Sequence, residues 1–176
     1  MNPSPDSTAA GSLKCGCGAL LYVLVYSPDA GPFYPMQFLK GAAWPGANQC
    51  AHPAGSKERL LAIWRDVASA MTYEFDHVLH DGRSDVWHFA EESLQLKKGD
   101  CEDHSILLTN WLLAEGFEAR IAVGDHKDPG GGGGHAWVVV RLNGIEYHLE
   151  ATAKSTTTKG DKPLAPVQDV ESVWPG

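Results

Sequence analysis

Chemistry in this sequence gathers first around Cys101. A thiol reacts as its thiolate, and the first turn of a helix stabilises a thiolate through unpaired N–H groups and the macrodipole. Cys101 falls at such a place, because Gly99-Asp100 interrupts the chain and a nearly all-apolar run, 106–114, follows. Its neighbours work the other way. Asp100, Glu102 and Asp103 set three anions beside one thiol, and like charge raises its pKa. The helix start alone does not make a nucleophile here; a cationic imidazole partner has to. Among eight histidines His135 is the best placed, since it opens a Val-rich stretch directly after the five glycines of 130–134. A side chain at the first position of a strand projects from a held backbone, and the glycine run reads as a mobile or backbone-hugging loop.

Glu150 joins them through hairpin geometry. Asn143-Gly144 between two β-prone runs is a strong two-residue turn signal. Counting outward from that turn pairs Leu142 with Ile145 and brings His135 near the level of Glu150 or Thr152. A carboxylate there can accept the second imidazole N–H, fix the tautomer and stabilise the imidazolium.

The elements that must hold these three follow from periodicity. Leu60, Trp64, Val67 and Met71 recur at helical spacing, with Leu61 and Ala68 beside them, so a helix is expected over about 57–75 with Ser56 as its N-cap. Residues 76–85 read as a polar loop with His77, His80 and Gly82. The second helix starts at Asp100 as N-cap, with Asp103 at the third helical position as in a capping box, and Gly116 ends it. Ile106, Leu107, Leu108, Trp111, Leu112 and Leu113 leave it little polar face, so it belongs in the domain centre. Strands are expected over 118–123, 135–142 and 145–149. Helices followed by an antiparallel meander make an α+β domain.

The blocks Gly99-Asp100-Cys101-Glu102-Asp103-His104, Gly134-His135-Ala136-Trp137-Val138 and Leu149-Glu150-Ala151-Thr152 together resemble the transglutaminase-like superfamily. Asp85-Val86-Trp87 ahead of the first block is similar to its bacterial cysteine-proteinase branch. The resemblance spans about 57–155. It implies a papain-like fold, with the catalytic Cys at the N-terminus of a buried helix, and a triad of Cys101, His135 and Glu150. Glu150 departs from the family, which has Asp there, and its extra methylene must fold back to reach the same nitrogen. Asn143 is the other orienter papain relatives suggest, but the tight turn explains it better. The backbone N–H of Cys101 is the natural first oxyanion donor, with Trp87 or Gln95 as candidates for a second. No cofactor is required. The resemblance also implies a calcium option through Asp100, Glu102 and Asp103, whose oxygens suit a hard cation; helix capping by Asp100 and Asp103 with a solvated Glu102 is the preferred account of the same residues.

Bulk properties narrow the rest. The 176 residues suit one domain, and 43% hydrophobic with 20% charged residues is ordinary globular composition. The organisation expected is a disordered start at 1–11, an irregular region at 12–55, a catalytic domain at 56–155 and a C-terminal extension at 156–176. A net charge of −8 without a Lys/Arg cluster beyond Lys97-Lys98 argues against nucleic acid. The longest apolar run, 19–26, is far short of the roughly 20 residues of a membrane helix and reads as a buried strand or short helix rather than a cleaved signal. Cys15, Cys17, Cys50 and His52 have paired spacing that suits zinc, yet unligated thiols account for them better. The compartment expected is the cytoplasm, with export as the alternative.

The reading is acyl transfer through a thioester on a protein or peptide amide, with hydrolysis favoured because water is always at hand. Its rivals are a catalytically silent transglutaminase-like domain used for binding or scaffolding, and a protein-glutamine acyltransferase.

Overall fold

The computed structural model describes residues 12–14, 20–22, 26–27, 31–32, 35–83, 85–128, 131–152 and 164–166, with side chains described within 37–83, 85–123 and 134–152. The expected disordered start at 1–11, the pair Cys15 and Cys17, and most of the C-terminal extension lie outside them. No described helix is long and apolar enough to cross a membrane.

Four short strands come first: β1 (Ser12–Lys14), β2 (Leu20–Tyr22), β3 (Tyr26–Ser27) and β4 (Gly31–Pro32). Helix α1 (Lys57–Ala70) leads into β5 (Thr72–Tyr73), α2 (Asp76–Leu79), α3 (Ala90–Leu96) and β6 (Lys98–Gly99). Then come α4 (Cys101–Ala114) and the strands β7 (Glu118–Asp128), β8 (Gly131–Leu142), β9 (Ile145–Leu149) and β10 (Leu164–Pro166). The main sheet runs β1-β2-β7-β8-β9-β10. Its pairs are antiparallel except β2 with β7. The expected α+β, papain-like arrangement therefore stands: a buried helix with the cysteine on its first turn, packed on an antiparallel meander.

Helix α1 begins as its sequence says, with the Ser56 hydroxyl accepting from Arg59 N–H at 3.1 Å. It stops at Ala70, five residues before the expected end. Thr72 N–H donates to the Lys97 carbonyl and Glu74 N–H to the Gly99 carbonyl, so the chain exchanges helical bonds for a parallel pairing just ahead of α4. The loop expected over 76–85 holds the short helix α2.

Helix α4 is buried from Cys101 through Leu112. Leu60, Ile63 and Val67 of α1 meet Ile106, Leu107 and Leu112 in one core with Ile121, Val138 and Leu149 of the sheet. Each such side chain fully withdrawn from water contributes roughly 1.5–3 kcal/mol. Phe38 and Trp44 join the same core from the stretch ahead of α1. Asn110, midway along α4, ties that stretch down: its amide donates to the Phe38 carbonyl at 3.0 Å and its Oδ1 accepts from Gly41 N–H at 2.8 Å. Gly116 at φ 81° ends the helix.

The hairpin matches its sequence closely. Asn143 and Gly144 adopt φ 52° and 79°, the doubly left-handed turn that suits the strand twist, and Leu142 pairs with Ile145. The glycine run does not form the loop expected of it. Residues 131–134 extend β8 and pair with Asp128 through Asp125 of β7, because a ladder already in register continues wherever no side chain obstructs it.

Candidate active site

Three elements carry the candidate residues. Helix α4 presents Cys101 on the first turn, β8 delivers His135 and Ala136, and the end of β9 delivers Glu150. The start of β8 comes close enough to α4 for the Ala136 N–H to pull the Cys101 thiol downward. The last paired residues of the hairpin are Val138 and Leu149. Continuing that register sets Trp137 across from Glu150 and His135 across from Thr152, so His135 and Glu150 are diagonal neighbours on one face.

The imidazole and the carboxylate meet directly. His135 Nε2 lies 2.8 Å from Glu150 Oε2. The other oxygen, Oε1, accepts from Thr152 N–H at 3.0 Å and from the Thr152 hydroxyl at 2.8 Å. The Trp64 indole N–H donates to the Glu150 carbonyl at 2.8 Å, anchoring the residue to α1. Burial pushes the Glu150 carboxyl upward, but the bonds from His135 and Thr152 outweigh it and hold the group down at about 2.

The other side of Cys101 is crowded with acids. Cys101 is 9% exposed, and its thiol donates to Glu102 Oε2 at 3.3 Å. Burial first, then the Glu102 and Asp100 charges, push the thiol well above its usual range, against the Ala136 N–H. Glu102 is pushed up to about 10, by burial and by a hydrogen bond it shares with Asp100. The solvated Glu102 expected from the sequence is instead buried, in surroundings that favour its protonated form.

Two capping roles also change. Asp100 occupies the N-cap position, yet its side chain makes no capping bond. Asp103 turns away from the helix end to His88, whose backbone N–H and Nδ1 lie 3.0 and 3.1 Å from Oδ1. Burial raises Asp103 to about 6 against the pull of His88. Gly99 is required here, since a Cβ on it would stand 2.2 Å from Asp103 Oδ2. The carboxylate oxygens of Asp76, Asp100 and Asp103 lie within 4.8 Å of one another, and so do those of Asp76, Asp85 and Glu102. Asp76 Oδ1 and Asp100 Oδ1 are buried with no hydrogen-bond partner among the described residues. Hard oxygen donors held this close fit a divalent cation, with Asp76 as the member the flanking acids alone do not reveal. Asp76 otherwise accepts from Val86 N–H.

The remaining candidates separate. The Trp87 indole donates to Asp85 Oδ1 at 2.8 Å, and Gln95 is exposed on α3. Asn143 sits in the turn, seven residues along the chain from Glu150. Cys50 is a free, half-buried thiol, and its carbonyl and that of His52 accept from Arg59. Sequence reasoning missed three contributors. Tyr73, set beside Gly99 by β5–β6 pairing, lies within the fields of Cys101 and Glu150, and burial followed by those charges raises its phenol to about 12. His88 follows directly on Asp85-Val86-Trp87, which was the available signal. Thr152, two residues after an acid at a strand end, carries the pattern of a local side-chain-to-backbone turn.

A family model for the CEP76 peptidase-like domain matches residues 85–174, a stretch holding Cys101, His135, Glu150 and Thr152. "Centrosomal protein of 76 kDa" from Mus musculus is 41% identical over 85 residues, covering 46% of this chain. The Homo sapiens protein of the same description is 38% identical over 85 residues. The chain spans only 12% of the length of each. Among solved structures, one described as a "Putative Cysteine Protease" from Cytophaga hutchinsonii aligns at TM-score 0.47 with 18% identity, over 64% of this chain and 35% of that one.

Proposed function

The chain belongs to the CEP76 peptidase-like domain family, and on that premise we propose that it is a cysteine-nucleophile hydrolase acting on a peptide or side-chain amide through a thioester. The observation that carries this reading is the His135–Glu150 pair at 2.8 Å, on the strand whose Ala136 N–H reaches the Cys101 sulfur. With Nε2–H donated to Glu150, the neutral ring offers the lone pair of Nδ1 as base.

The crowded acids decide how the nucleophile forms. A thiol held protonated by burial and by Glu102 is not a standing thiolate. His135 therefore removes the proton as the sulfur attacks the carbonyl carbon, and Glu150 stabilises the imidazolium as it appears. The backbone N–H of Cys101, without an intrahelical acceptor at the helix start, faces the developing oxyanion. His135 then gives its proton to the leaving amine, and water resolves the thioester with His135 again as base. The substrate is a protein or peptide. The relatives are named for the centrosome, which supports a cytoplasmic setting.

A second reading has its own observation. Cys101 is almost closed to solvent and its thiol is parked on Glu102, which suits a silent domain used for binding. Alkylation of Cys101 by iodoacetamide across pH, mapped by mass spectrometry in wild type and His135→Ala, separates the two. The enzyme reading expects modification near neutral pH that is lost in the variant. Equal, slow modification in both proteins, rising only above the ordinary thiol range near 8.5, sinks it in favour of the silent domain.

A further inference from the structure

We propose that Thr152 is a positioning residue of this site, its hydroxyl holding Glu150 in the one arrangement that lets a glutamate orient His135. The inference rests on the Cys101–His135–Glu150 reading and adds the device that makes its third member work.

A glutamate has one more rotatable bond than an aspartate, so its carboxylate sweeps a larger volume and loses more freedom when fixed. Something must select one rotamer. The two oxygens of Glu150 have separate duties: Oε2 meets His135 Nε2 at 2.8 Å, and Oε1 takes both donors of Thr152, N–H at 3.0 Å and Oγ1 at 2.8 Å. Two donors on one oxygen fix the rotation of the carboxylate plane, and with it the direction in which Oε2 faces the ring. Both ends of this clamp are themselves held. The Glu150 carbonyl is tied to the Trp64 indole at 2.8 Å. Ala151, between the two residues, is 1% exposed, so the backbone cannot swing away. Thr152 also falls across from His135 when the β8–β9 register is continued, which places clamp, acid and base in one patch. The low position of the Glu150 carboxyl, about 2, agrees with this set of donors.

A Thr hydroxyl at a strand end has an ordinary role as well, closing a local turn. The two roles predict different outcomes. Iodoacetamide alkylation of Cys101 at pH 7 is measured on the full chain in wild type, Thr152→Val, Thr152→Ser, Glu150→Gln and the double variant Thr152→Val/Glu150→Gln. Valine keeps the shape and removes the donor; serine restores the donor without the methyl. A charge-assisted bond of this kind corresponds to roughly a tenfold loss of rate in Thr152→Val, with Thr152→Ser within twofold of wild type. In the Glu150→Gln background Thr152→Val should add less than twofold, because the carboxylate it orients is gone. Wild-type rates in Thr152→Val, no recovery in Thr152→Ser, or the same tenfold loss in both backgrounds would each overturn the inference alone. A wild-type rate no faster than that of His135→Ala overturns the nucleophile reading and this inference with it. Loss of fold in Thr152→Val is not confused with the expected result, since unfolding exposes the thiol and speeds alkylation.

Discussion

Glu150, bonded to His135, and Glu102, bonded to the Cys101 thiol, are two acids of one candidate site that the protein treats oppositely. Both are largely withdrawn from water, which by itself raises a carboxyl. Glu150 receives donors from His135 and Thr152 and is held down at about 2, while Glu102, with its own N–H and the thiol as donors, is driven up to about 10 by burial and Asp100. Burial raises both, and the donors decide how far. His135 and Glu150 form a hydrogen-bonded imidazole–carboxylate pair, while the acid beside the thiol is driven toward its neutral form. The site is thus poised on its basic side and restrained on its acidic side.

The largest expected effect tests that asymmetry directly. Glu150→Gln removes the carboxylate that stabilises the imidazolium and should slow Cys101 alkylation at pH 7 on the order of hundredfold. Glu102→Gln replaces a neutral carboxylic acid by a neutral amide and should change the same rate by no more than a few-fold. Equal losses in the two variants would break the comparison.

Stability against pH sharpens it. Glu102 binds its proton more tightly folded than unfolded, so each step above its ordinary 4.5 favours unfolding, up to about 10. Glu150 behaves in reverse: its contribution is complete above about 4.5 and fades as pH falls toward 2. With chelator present, Glu102→Gln should gain about 2 kcal/mol over wild type between pH 5 and pH 6.5, read from denaturant midpoints. A gap that does not grow with pH means Glu102 is already ionised in the folded chain.

A smaller effect concerns the acids behind Glu102. If Asp76, Asp100 and Asp103 hold a divalent cation, calcium at ten times its dissociation constant should stabilise the protein by about 1.4 kcal/mol. Asp76→Asn should abolish that gain. A melting temperature indifferent to calcium in wild type leaves the acid cluster as a purely repulsive feature, which deepens the contrast with Glu150.

The two sides also differ in how far the chain announces them. The Asn143-Gly144 turn fixes register, register fixes levels along the strands, and the His135–Glu150 pairing follows from local rules alone. Nothing equally local announces Asp76, Tyr73 or His88. Tyr73 comes beside Gly99 because α1 stops at Ala70 and β5 pairs with β6, a competition between helical and parallel-strand bonds that periodicity does not decide. Asp103 carries the pattern of a capping box, and tertiary contact with His88 overrides it. The glycines at 131–134 look like a loop by composition, yet pair as strand because β7 already lies beside them.

The smallest effect tests the residue that joins the two halves of the hairpin. Asn143 is one of three non-glycine residues with positive φ among those described, at 52°, and asparagine tolerates that region better than alanine does. Asn143→Ala should therefore cost about 1 kcal/mol of stability. It should leave Cys101 alkylation unchanged, because the turn sets the register of β8 and β9 without touching the acid or the base. A rate that falls as far as in Glu150→Gln, with stability intact, would mean that the amide rather than the carboxylate orients His135. The basic side of the site would then have been assigned to the wrong residue.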